Sequence, residues 1–419
     1  MEHEAGYRDD FVTSFADLIA PTSTKDFFTD YWETTFLHVR HASGRFARYF
    51  SLRDIDAWVS STRSGVVFVL LPKDEGIRFD IHQAQDLTPG AVLGNFRRGF
   101  AQILKRLADW PSLQGLVHHL GKVFHAEVQV NAFLTPAGAR THPTYTANDD
   151  ILVLQLEGEA VWRLHELTVL QLGLSQKKNL EFPAEWQRRT ETPVLAEVRL
   201  RPGDLLFIPR GMPHFATTPD YTSLHLSIYI TSLFWVDFLK FAAEYAALHS
   251  QELRRALPPG FVDSEQICDR MRTTFQQVMG VFQEVSFDGV LAAVKRNRVA
   301  RQGFPCDGQF AALAGTEGLA VDSKVERRAD VLCTVEEVFD AEGNRKSTLF
   351  FGDGQLSGPP HLLRALEFIR DHDQFRVSEI PGLDEKGKLV LARRLIAEGL
   401  LRPSQAAEER VADPVAALP

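Results

Sequence analysis

The chain has 419 residues and a formal net charge of −9, from 46 Lys and Arg against 55 Asp and Glu. Hydrophobic residues make up 44% and charged residues 24%, a globular composition that excludes disorder over most of the length, and roughly 100–200 residues per domain predicts two to four domains. No apolar run approaches the ~20 residues that span a bilayer, and the acidic balance argues against nucleic acid while permitting a cationic peptide or protein as partner.

The first residues, MEHEAGYRDDF, are acidic and lack the apolar stretch of a secretory signal. Residues 1–60 read as mixed and mainly helical, with Phe27, Phe28, Tyr31 and Trp32 at helical spacing and Thr24 and Asp26 as caps. Residues 65–95 read as a strand, through the apolar run 66–71, then a turn and irregular chain. From 95 to 119 the positions Phe96, Phe100, Ile103, Leu104 and Leu107 predict a helix. From 126 to 230 the character changes to short apolar or alternating runs separated by turn residues: VQVNAFL, ILVLQLEG, AVWRLH, VLAEVRLRPGDLLFIP and SLHLSIYI. Such strands predict an antiparallel sandwich or barrel. In LRPGDLLFIPRGMPH a Pro-Gly-Asp turn precedes the strand LLFIP, which delivers His214 at its far end. That is the layout of a double-stranded β-helix, or cupin, in which a late strand presents an inward histidine.

After residue 230 the helical period returns, with Phe234, Phe238, Phe241 and Tyr245, and a second helical stretch follows Ser264. The aromatic row offers more apolar surface than a monomer normally exposes and predicts a homodimer. Residues 325–351 read as a hairpin turning at 341–344, and 359–402 as helix, turn, helix. The expected class is therefore α+β: a cupin domain with N-terminal helical elements over 1–230, a helical dimerisation segment over 231–325, a winged-helix-like module over 326–405, and a flexible tail over 406–419. Lys386, Lys388, Arg393 and Arg394 are offset by six nearby carboxylates and read as a solvated face. The three cysteines, Cys268, Cys306 and Cys333, are too widely spaced for a disulfide framework or a Cys-type zinc site, which fits a reducing cytoplasm.

The strings FFTDYWETTFLHV, VQVNAFLTPAGA, ILVLQLEGEAVWRL and LRPGDLLFIPRGMPHFATT followed by SLHLSIYI, taken together, resemble the ribosomal-oxygenase group of Jumonji C (cupin-4 type) proteins over nearly the whole chain. The resemblance implies Fe(II)/2-oxoglutarate-dependent hydroxylation of a polypeptide side chain, on a ribosomal protein or a biosynthetic peptide, by a dimer with a C-terminal winged helix. Its chemistry needs a His-x-Asp pair on one strand face, a distant second His, and a Lys or Arg for the far carboxylate of 2-oxoglutarate.

At the offset the family uses, this chain places Tyr145 and Ala147 where the His and Asp are expected, and Ala160 where the cation is expected. His214 stands at the second His. Asn131 matches a polar position that lines the family's co-substrate pocket. Two readings follow. In one, the cupin no longer binds iron or 2-oxoglutarate and serves as a binding pocket or scaffold for a polypeptide, with Tyr145 filling the vacated space. In the other, His142, Asp149 and His214 form a rebuilt metal site, with His225 nearby; the seven residues from His142 to Asp149 span roughly 23 Å when extended, so a loop at Pro143 must fold back. Arg210 is expected in a structural ion pair or at the pocket mouth.

Overall fold

The computed structural model describes residues 14–61, 66–69, 81–83, 88–140, 147–167, 193–302, 308–329, 331–352 and 354–404. It divides into two compact units, Met1–Leu239 and Lys240–Pro419. Among the described residues no helix is long and apolar enough to cross a membrane.

The first unit opens with helix Phe15–Ile19, closed by a capping box between Ser14 and Asp17. The next helical turn, Thr24–Asp26, is capped by Ser23 rather than by Thr24 or Asp26, because it is the Ser23 hydroxyl that accepts from the Asp26 N–H. Its strands are β1 (Leu37–Val39), β2 (Val66–Val69), β3 (Ile81–Gln83), β4 (Ala101–Leu104), β5 (Glu127–Thr135), β6 (Asp150–Glu157), β7 (Ala160–His165), β8 (Val194–Leu200), β9 (Leu205–Ile208), β10 (His214–Thr217) and β11 (Ser223–Thr231). They form an eight-stranded sheet in the order β1-β9-β6-β11-β5-β4-β2-β3 and a three-stranded sheet in the order β10-β7-β8.

Alternation along the strands builds two cores from one sheet. On β6, Leu152, Leu154 and Leu156 join a core with the N-terminal aromatic residues and with helix Pro111–Phe124. Ile151 and Val153, on the opposite face, cluster with Trp162 and Leu164 of β7, Val198 and Leu200 of β8, and Leu206 and Ile208 of β9. Burial on both faces explains why ILVLQLE reads as an almost continuous apolar run. This second cluster fills the space between the sheets.

The helix expected over 95–119 is interrupted. Helix Pro89–Arg97 ends at a turn in which Gly99 takes φ 89°, β4 follows, and helix Pro111–Phe124 begins on a proline at its first position. Ile103 and Leu104 thus belong to a strand that pairs with β2 and β5.

In the second unit, helices Trp235–His249 (within which the division falls), Glu265–Gln283 and Phe287–Gln302 precede β12 (Lys324–Arg327), β13 (Cys333–Phe339), β14 (Arg345–Phe351), β15 (Gly354–Gly358), β16 (Gln374–Arg376) and β17 (Leu401–Pro403). The predicted hairpin is β13–β14; its turn is fixed by the Asp340 carboxylate, which accepts from the Glu342 and Asn344 backbone N–H groups. Residues 324–327 are not part of it, since β12 pairs with β16 and β17 in a separate sheet. The predicted helix-turn-helix is present as Leu363–Asp371 and Glu385–Ala397, with β16 between them. One core joins both sheets and these helices, centred on Val325, Leu349, Leu366, Phe375 and Leu395.

Candidate functional site

The turn between β9 and β10, Pro209–Pro213, sets the geometry around His214. Gly211, at φ 84°, donates its backbone N–H to the Ala147 carbonyl at 3.0 Å, and Met212 closes on Pro209. His214 then opens β10 opposite Leu164, with its side chain buried. Its Nδ1 lies 2.8 Å from the Met212 carbonyl oxygen. A carbonyl only accepts, so the proton sits on Nδ1 and the ring's lone pair is on Nε2, the arrangement that a backbone carbonyl commonly imposes on a metal-ligating histidine.

Two of the three positions expected to complete the chemistry lie in the same cluster as the residues around His214. Ala147 is 1% exposed and packs with Met212, Ile151 and Ala160. Ala160, at the start of β7 opposite Leu200, is fully buried in that cluster. Trp162 stands between the sheets, its ring centroid 6.0 Å from His214 and 5.3 Å from His225. His225 stacks on Phe133 at 4.9 Å, with the ring planes 5° apart. It is a buried histidine packed among aromatic rings. Asn131 is half-buried on β5, opposite Ser227 of β11.

Asp149 is placed differently. Its carboxylate accepts from the Thr231 hydroxyl at 2.7 Å, at the end of β11. His142 and Tyr145 lie outside the described residues. Among the described residues no group of three His, Cys, Asp or Glu side chains is arranged to hold a metal ion. Iron(II) in a facial site needs three donors, and 2-oxoglutarate needs a cation for its far carboxylate. Methyl groups at 147 and 160, packed in an apolar cluster, supply neither, so the described residues do not fit Fe(II) and 2-oxoglutarate at these positions.

One buried ionic node adjoins the site and was only half legible in the sequence. Arg210 donates its backbone N–H to Asp150 Oδ1 and its Nη1 to Asp150 Oδ2, both at 3.0 Å. It also pairs with Glu33, and its guanidinium lies 4.7 Å from the centre of the Phe234 ring. Arg210 is 3% exposed and Asp150 is fully buried. Burial pushes the Asp150 carboxyl up to about 6, against the pull of Arg210. The sequence offered Arg210 as an ion-pair former; nothing in it marked Asp150, rather than Asp149, as the partner.

Comparison with known proteins agrees with this architecture. Residues 108–237 match the family model described as "JmjC domain". Ribosomal oxygenase 1 of Gallus gallus is 30% identical over 282 residues, covering 62% of this chain and 45% of that protein. Ribosomal oxygenase 2 of Bos taurus is 29% identical, covering 54% of this chain and 49% of that protein. The bifunctional lysine-specific demethylase and histidyl-hydroxylase NO66 of Drosophila persimilis is also 29% identical, over 51% of this chain and 31% of that protein. The chain thus spans about a third to a half of the length of these relatives. Among solved structures, YcfD, a ribosomal oxygenase from Escherichia coli, superposes with a TM-score of 0.52 at 12% identity, covering 92% of this chain and 99% of that one. YcfD has also been solved in complex with cobalt and 2-oxoglutarate. At that identity the likeness shows the fold alone. Residues 108–237 thus match a JmjC domain, the fold is of the cupin jelly-roll type, and ribosomal oxygenases are among the proteins to which the chain is similar.

Proposed function

We propose that this chain is a pseudo-oxygenase: a JmjC protein of the ribosomal-oxygenase type that binds a polypeptide and has left Fe(II)/2-oxoglutarate hydroxylation. The observation that carries this is the burial of Ala147 and Ala160 in one apolar cluster beside His214, whose own lone-pair nitrogen is retained. A single imidazole holds Fe(II) weakly, because such sites draw their affinity from several ligands acting together. The partner is a basic polypeptide, a ribosomal protein or a biosynthetic peptide, in keeping with the chain's net charge of −9. Nucleic acid is disfavoured, since three of the four basic side chains of helix Glu385–Ala397 are spent internally: Lys388 on the Ser378 carbonyl, Arg393 on the Leu319 carbonyl and Arg394 on Glu398.

In the same reading residues 231–325 form a dimerisation segment, 326–405 a winged-helix-like module, and the protein is a cytoplasmic homodimer. Helix Glu265–Gln283 has no buried residue although it carries Phe275 and Met279, both exposed. A second copy covers that face.

The test is calorimetry with Fe(II), under nitrogen, and with 2-oxoglutarate. The native chain gives no binding heat. The triple variant Tyr145→His, Ala147→Asp, Ala160→Lys binds both. Metal binding by the native chain that is lost equally in His142→Ala, Asp149→Ala and His214→Ala would establish the rebuilt site instead.

A further inference from the structure

Sheet β13–β14–β15 is covered unevenly. Register pairs Glu336 with Thr348, Thr348 with Ser357, and Phe350 with Gln355, so these side chains share one face. On that face helix Phe287–Gln302 packs over β13 and β14, where Arg296 is ion-paired to Glu336 and lies 5.9 Å from the Phe350 ring centroid. One strand further, Gln355 and Ser357 are exposed, and β15 is one of the two outer strands of the sheet among the described residues. A groove of about 620 Å³ opens there, walled by Phe241, Tyr245, Arg296, Phe350 and Gln355. Its volume lies within the range of ligand sites. Glu244 stands on its rim, exposed and without an ion pair among the described residues.

Strand edges in native proteins are usually guarded by charge or proline. Among the other outer strands, β8 follows that rule with Glu197 and Arg199, whereas β10, HFAT, does not. β15, with the sequence GQLSG, has neither. An unguarded edge next to an aromatic-walled groove provides two things an extended peptide needs: main-chain partners along the strand and a pocket for a side chain.

We infer that β15 and this groove dock an extended, lysine- or arginine-flanked segment of a polypeptide, which adds to the sheet edge as a fourth strand and sets one apolar side chain between Phe241, Tyr245 and Phe350. The cation next to that side chain meets Glu244. The inference rests on the reading of the chain as a polypeptide-binding protein and places the contact in the second unit. It is measured with neither iron nor 2-oxoglutarate present, so this docking and the loss of barrel chemistry can fail separately.

The experiment uses the full chain and two fluorescein-labelled peptides, KTVKFTVK and ETVEFTVE, with fluorescence anisotropy and amide hydrogen exchange as readouts. The basic peptide binds saturably, at least about tenfold tighter than the acidic one, and slows exchange in residues 354–358. Glu244→Lys reverses the preference, and Ala300→Trp, which fills the groove from an exposed position, weakens both by about tenfold or more. Neither position carries an ion pair among the described residues, so circular dichroism stays native in both variants. A chain shortened to residues 1–404 binds with unchanged affinity. Failure of the basic peptide to bind, protection elsewhere than 354–358, or indifference to both substitutions overturns the proposal. So does markedly tighter binding by the shortened chain, which would make the chain's own tail the occupant.

Discussion

In the proposed pseudo-oxygenase reading three positions, 145, 147 and 160, keep this barrel from iron chemistry, and two of them are methyl groups in a packed interior. A lone lysine placed at 160 would carry its charge into that cluster without a partner, so Ala160→Lys by itself destabilises the fold, by about 3–5 kcal/mol at neutral pH; urea unfolding of that variant beside the triple variant checks this, and the triple variant in the presence of 2-oxoglutarate recovers part of the loss. The Arg210–Asp150 pair allows a second prediction. Asp150 titrates near 6 in the native protein and near 3.8 when exposed. Between those values the native state holds a proton that the unfolded chain releases, so this group's contribution to stability falls as pH rises through that window. Arg210→Met leaves the carboxylate buried with its cation gone. We expect it to cost about 3–5 kcal/mol at pH 7.5 and less at pH 5, where Asp150 is protonated. A deficit that grows as the pH falls would contradict the assignment. His214 was legible because a fixed string, IPRGMPH, surrounds it. Asp150 was not, because strand parity gives the face of a side chain and not its partner sixty residues away.

At the scale of elements, the LQLEG string ends in a turn whose glycine is required by sterics. Gly158 takes φ 63°, and a Cβ there would stand 1.9 Å from the Thr222 carbonyl oxygen. Gly158→Ala is therefore expected to destabilise by well over about 1 kcal/mol, visible as a fall in melting temperature. An unchanged melting temperature would show that the β6–β7 turn gives way at little cost. The strands of 126–230 could be read because their period of two is bounded by turn residues. The interval 95–119 misled because Phe96 and Phe100, four apart, mimic a helical face while flanking the turn at Gly99. Three of the apolar positions, Ile103, Leu104 and Leu107, then belong to β4 and the short helical turn after it. Pro111 was the available signal: it is the first residue of the next helix and marks a boundary within the interval. The hairpin β13–β14 was legible from its turn, AEGN, but its start was not, since KVER is equally apt as a strand and its partners lie far along the chain.

For the whole molecule, the unburied helix Glu265–Gln283 carries the quaternary prediction. Phe275→Asp with Met279→Asp removes apolar surface that is exposed in the single chain, so we expect the double variant to fold and sediment as a monomer and the native chain to sediment as a dimer. A native chain that is already monomeric at micromolar concentration would refute the dimer.

The proposed loss of oxygenase chemistry is tested most directly by 2-oxoglutarate decarboxylation, followed as succinate formed by the purified chain with added Fe(II) and ascorbate. Ala147 and Ala160 predict succinate no higher than in a protein-free control, for the native chain and for His214→Ala alike. Iron-dependent succinate from the native chain that disappears in His214→Ala would contradict it.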